Sequence, residues 1–171
     1  TGMKPLPITG LNGCKANAVQ LYPFDPIYAA STYSDACGGP VTAMLLNTTV
    51  TGTDCNWTIV YQFKIVDECG NMLLNQLVTY SGSDMTPPTI TCAVQATPVN
   101  CPAVPVFTPP TATDVCDASV AITFTDVTTP GSCVGTYTVT RTWTATDDCN
   151  NTASCSAAIV VRDVTQPTIV C

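Results

Sequence analysis

The chain has 171 residues, no histidine, and five basic residues against twelve acids, for a net charge of −7. With no basic footprint it offers nothing to nucleic acid or anionic lipid, and apolar runs such as residues 157–161 fall far short of the roughly 18 residues a membrane span needs. Eleven cysteines without histidine or a Cys-x-x-Cys pair point to disulfides rather than zinc, and so to a secreted or cell-surface setting.

In chain order, Cys14 comes first, followed by an aromatic stretch at residues 22–28 (Tyr-Pro-Phe-Asp-Pro-Ile-Tyr) and then Cys37. After Cys55, the residues Trp57, Ile59, Tyr61, Phe63 and Ile65 alternate with Thr58, Gln62 and Lys64. That period of two predicts a half-buried antiparallel strand, and Asp-Glu-Cys69-Gly-Asn predicts the turn that ends it. Residues 86–91 hold two prolines and no glycine, which suits an extended, semi-rigid linker. Cys92 opens another run of strand formers, and Pro102, Pro105, Pro109 and Pro110 suit an edge strand and its turn, because proline cannot donate to a ladder. Further on, Tyr137, Val139, Arg141, Trp143 and Ala145 alternate with six threonines before Asp-Asp-Cys149-Asn-Asn, and residues 157–161 return as a last strand. No stretch keeps an apolar period near 3.6, so helix is a minor component.

The chain repeats itself. Cys37, Cys55, Cys69 and Cys92 recur as Cys116, Cys133, Cys149 and Cys171, at offsets of 79, 78, 80 and 79. A fixed period means an array of modules. Residues 1–86 read as a first module, divergent and with an insertion near 22–28. Residues 87–166 read as a second, and 167–171 as the start of a further copy. Modules of about 80 residues have marginal cores and depend on cross-links. Each is expected to be an all-β, immunoglobulin-like antiparallel β-sandwich stapled by disulfides.

With the second module's strands lettered A to G, Cys116 falls in the B–C turn and Cys149 in the F–G turn at one end. Cys101 and Cys133 fall at the other end, and Cys92 and Cys155 open neighbouring strands A and G. The expected pairs are Cys92–Cys155, Cys101–Cys133 and Cys116–Cys149, with Cys14–Cys55 and Cys37–Cys69 in the first module. Six cysteines allow 15 pairings, so topology rather than spacing selects these. Cys171 has no partner within the sequence, and the polypeptide is expected to continue beyond it.

The residues Thr142-Trp-Thr-Ala-Thr-Asp-Asp-Cys-Asn-Asn-Thr-Ala-Ser-Cys155, followed by Asp163-Val-Thr-Gln-Pro-Thr-Ile-Val-Cys171, resemble the hyalin-repeat (HYR) family. The cysteine-rich form is similar to arrays in giant surface proteins of gliding Bacteroidota, the SprB-type motility adhesins. Asn150 stands where the family usually has glycine, and the first module lacks the Thr-Ala-Ser-Cys ending at Met72 to Asn75. The resemblance implies an immunoglobulin-like sandwich used for extracellular adhesion or spacing, with no catalytic residues.

The residues themselves agree with that absence of catalysis. No histidine is present to serve a nucleophile, and the carboxylate neighbours Asp67–Glu68 and Asp147–Asp148 would point to opposite faces of a strand. The one site candidate is the acidic turn end, where Asp114, Asp117, Asp147 and Asp148 gather near Asn150 and Asn151. Hard oxygen donors on loops suit calcium, the one cofactor considered. Aspartate and asparagine are also ordinary turn residues that bond their own backbone, and the spacing matches no EF-hand. Arg141, on an otherwise apolar face, is expected to lay its stem along the surface with its guanidinium over Trp143 or Tyr137, or on a carboxylate. Asn47, Asn56 and Asn150 occupy N-x-Ser/Thr sequons.

The expected function is a non-enzymatic structural and adhesive repeat segment of a long surface adhesin or filament. Its partners would be neighbouring repeats of the same chain, surface glycans or other adhesin chains. The alternatives are a calcium- or carbohydrate-binding module, for which the aromatic insertion would serve, and a self-assembling filament subunit.

Overall fold

The computed structural model describes residues 4–169. Cys171 and its expected partner therefore lie outside the described residues. The fold is mostly β, and the chain divides into two compact units, residues 1–86 and 87–171. No helix among the described residues is long and apolar enough to cross a membrane.

In the first unit, β1 (Ile8–Asn12), β2 (Val41–Thr53), β3 (Asn56–Asp67) and β4 (Met72–Ser83) form one sheet in the order β1-β4-β3-β2. The β2–β3 and β3–β4 pairs are antiparallel, whereas β1 lies parallel to β4. The alternation expected for β3 is present: Trp57, Ile59, Tyr61, Phe63 and Ile65 are all buried on one face.

What covers that face differs from the expected second sheet. The layer consists of a 3-10 turn (Lys15–Asn17) and two short helices, α1 (Ala18–Leu21) and α2 (Pro26–Ala30), together with the segments around them. Tyr22 stacks on Trp57 with ring centroids 5.8 Å apart, and Phe24 lies 5.6 Å from both Tyr61 and Phe63. Ala18 and Ala29 are fully buried, their small side chains letting the helices sit close to the sheet. Asp25 caps α2 by accepting from the Ile27 and Tyr28 N–H groups, and Pro26 follows where its missing N–H costs nothing. Buried polar tips also find partners in this layer. Trp57 Nε1 donates to the Gly13 carbonyl at 2.7 Å and Tyr61 Oη to the Tyr22 carbonyl at 2.6 Å. The immunoglobulin-like two-sheet reading is therefore corrected for this unit: the aromatics of the insertion take the place of a second sheet.

The second unit keeps two sheets. Strands β6 (Val99–Asn100), β8 (Ala121–Pro130), β9 (Tyr137–Thr146) and β10 (Thr152–Arg162) are ordered β6-β10-β9-β8. Strands β5 (Thr89–Thr91) and β7 (Thr111–Thr113) form a separate antiparallel pair. Among the described residues these are six strands rather than the seven expected. The proline-bearing residues 103–110 carry no strand, because their missing N–H groups cannot sustain a ladder. Trp143, Ala145, Ile159 and Val161 form the buried centre, while Tyr137, Val139 and Arg141 on the same stripe are half-buried.

Cys92, just past β5, is bonded to Cys155 within β10, with Cα atoms 5.9 Å apart, so one covalent link ties the small sheet to the large one. Cys14, Cys55, Cys116 and Cys149 are also in disulfide linkage. By contrast Cys37 and Cys69, expected as a bridge, carry free thiols, as do Cys101 and Cys133. These four lie on turns outside the ladders, where loop conformation rather than strand register sets the distance between sulfurs.

Candidate functional site: the acidic turns of the second unit

The β9–β10 turn is built around Asp147, which is only 5% exposed. Its Oδ1 accepts from the backbone N–H of Cys149 (2.9 Å) and Asn151 (2.8 Å), and its Oδ2 accepts from Asn151 Nδ2 (2.8 Å). Asn150 sits between them at φ 68°, in the left-handed region that glycine enters freely and asparagine tolerates. The first unit repeats the device at its β3–β4 turn. There Asp67 accepts from the Asn71 N–H and Nδ2, and Gly70 takes the positive φ. These bonds hold the Asp67 carboxyl below the usual carboxylate range, the Asn71 side chain having the largest effect.

A second turn meets the first. Asp114 Oδ1 accepts from the N–H groups of Cys116 (2.7 Å) and Asp117 (3.1 Å), and Asp117 Oδ2 accepts from the Asp148 N–H (2.6 Å). Carboxylate oxygens of Asp114, Asp117 and Asp147 come within 4.8 Å of one another. Asp148, expected as a fourth member, contributes its backbone N–H and is not part of that carboxylate group. The Asp148 N–H bond lowers the Asp117 pKa. Desolvation and the charges of Asp148, Asp147 and Asp114 outweigh it, so the carboxyl sits above its ordinary value. Three hard oxygen donors are thus held together with their negative charge not fully compensated. That arrangement can bind a hard divalent cation, although calcium takes six to eight oxygens and several here already serve the backbone.

Arg141 is engaged more fully than its sequence context indicates. Its Nε and one terminal nitrogen each donate to Asp126 at 2.7 Å, and the guanidinium lies 3.8 Å from the Phe124 ring centroid and 4.5 Å from that of Phe107. Trp143 is farther, at 6.0 Å. Asp126, Phe124 and Phe107 were not among the expected partners. The first two lie on β8, opposite Arg141 and Trp143 in register, and a cross-strand register is the signal that would have found them. The aromatic insertion of the first unit, the feature that would have served a carbohydrate site, is occupied in packing on β3.

These features define an all-β, disulfide-linked protein with turn-built acidic loops. The sequence model of the HYR domain matches residues 83–161, which makes the second unit a HYR-like domain. HYR domains are extracellular, adhesion-type and non-catalytic. No curated protein matches the chain.

Proposed function

We propose that the chain is a non-enzymatic adhesive and load-bearing segment of a long extracellular surface protein. The observation that carries this reading is the HYR match over residues 83–161, on a unit whose two sheets are tied by Cys92–Cys155. The cysteine period of about 80 residues supports a repetitive array of the kind found in giant adhesins of gliding Bacteroidota, with neighbouring repeats as the first partners. Surface glycans or other adhesin chains are the outer partners of this reading. Antibodies raised against the purified chain test it: intact producing cells should be labelled, and external protease should remove the label. Labelling only after permeabilisation overturns it.

The carboxylates of Asp114, Asp117 and Asp147 favour a second role beside this one, a loop end stiffened by calcium. Calcium titration followed by thermal unfolding tests it. A midpoint that rises with calcium but not with magnesium supports it, and no response to either removes it.

A further inference from the structure

The two pairs of free thiols share three properties. Cys37 and Cys69 are separated by 32 positions (69 − 37), and Cys101 and Cys133 also by 32 (133 − 101). Each pair belongs to a single unit, on turns that meet at one end of its sheet. In the first unit β2 begins at Val41, directly opposite Asp67, and a Cβ on Gly39 would lie 3.6 Å from Glu68 Oε2. Cys37 is two residues before that glycine and Cys69 one residue after that glutamate. In the second unit the Cys101 N–H donates to the Arg162 carbonyl at the end of β10. The Cys101 Sγ lies 3.9 Å from the Cβ position of Gly135, inside the turn that Cys133 opens and Thr136 closes.

The repeat adds an independent argument. Cys37 and Cys69 correspond to Cys116 and Cys149, both in disulfide linkage, and Cys133 corresponds to Cys55, also in disulfide linkage. None of these three positions is therefore reserved for a reduced thiol in both units. Cys37, Cys69 and Cys133 are exposed, so a soluble oxidant can reach each pair.

We infer that Cys37/Cys69 and Cys101/Cys133 are two oxidisable dithiol sites that close to bridges within their own units and stabilise them. With glutathione disulfide as oxidant, the more exposed Cys133 thiolate attacks one sulfur and releases one glutathione thiolate. The Cys101 thiolate then displaces the second, forming the Cys101–Cys133 bond. Two electrons pass to the oxidant, and the two protons leave with the released glutathiones. The same exchange closes Cys37 onto Cys69. Each closed bridge restricts the unfolded chain and so raises the stability of its own unit.

The test uses the full chain equilibrated with reduced or oxidised glutathione, followed by non-reducing peptide mapping and urea unfolding. Oxidation should yield linked Cys37–Cys69 and Cys101–Cys133 peptides, and the urea midpoint of each unit should rise. In Cys133→Ser, Cys101 should stay alkylatable and oxidation should leave the second unit's midpoint unchanged, while Cys37–Cys69 still closes. If that variant does not fold, the map of the unaltered chain decides alone. Thiols that remain alkylatable at equilibrium, peptides linking Cys37 to Cys101, or bonds only between chains overturn the inference. None of these readouts depends on whether the chain is adhesive.

Discussion

Asp126 on β8 and Arg141 on β9 face each other in register and are joined by two N–H···O contacts of 2.7 Å, with the guanidinium lying against Phe124 and Phe107. Two parallel bonds fix the plane of the guanidinium as well as its position. An edge strand that buries none of its residues is thereby locked to the sheet at its midpoint.

This pair makes stability depend on pH in a defined direction. The Arg141 hydrogen bond holds the Asp126 carboxyl below the ordinary range. Its contribution is therefore full above the unfolded carboxylate pKa of about 3.9 and is lost as pH falls through the lower folded value. Asp126→Asn should be less stable than the parent at pH 7, and urea midpoints of the two should converge in strongly acidic solution. A gap that stays constant with pH would assign the effect to something other than charge.

Asp117 behaves in the opposite sense. Its folded pKa is raised, so its ionised form disfavours the fold at neutral pH, and protonation relieves this as pH falls through the folded value. Asp117→Asn should raise the thermal midpoint at pH 7 if its Asp148 contact is kept, and should weaken any calcium response. A lower midpoint at pH 7 would mean that the 2.6 Å bond to the Asp148 N–H outweighs the carboxylate repulsion.

At the β9–β10 turn, Asn150→Gly should be neutral or slightly stabilising, since φ 68° suits glycine better than any side chain. A branched residue should pay the left-handed penalty, and Asn150→Val is expected to lose about 1–2 kcal/mol in urea unfolding. Equal stability of the two variants would mean that the turn relaxes to another conformation.

The aromatic insertion should behave as core. Phe24→Ala removes a ring packed on Tyr61 and Phe63 and should destabilise the first unit by about 2–4 kcal/mol, with the second unit's unfolding unchanged. Carbohydrate binding lost without loss of stability would return the insertion to a ligand site.

Strand β3 was legible because one face is buried, which writes a period of two into Trp57 through Ile65. Its cover was not. The helices α1 and α2 have four and five residues, too short to show a helical period, and their place on the sheet depends on aromatic contacts made across the unit. The Asp-Glu-Cys-Gly-Asn and Asp-Asp-Cys-Asn-Asn turns could be read directly, since each closes through side chains four residues apart. Asp126 as the partner of Arg141 could not. Every residue of β8 is exposed, so no buried stripe marked its register against β9. The free thiols were hidden for a related reason: topology brings cysteines to one end of a sheet, whereas bond formation depends on loop detail.

The adhesive role is tested most directly by measuring attachment of producing cells to their natural surface under saturating Fab fragments raised against the purified chain. An extracellular adhesive segment predicts that the Fabs bind intact cells and reduce attachment, while Fabs against an unrelated surface protein do not. Fabs that coat the cells and leave attachment unchanged, or that fail to reach the chain on intact cells, would contradict it.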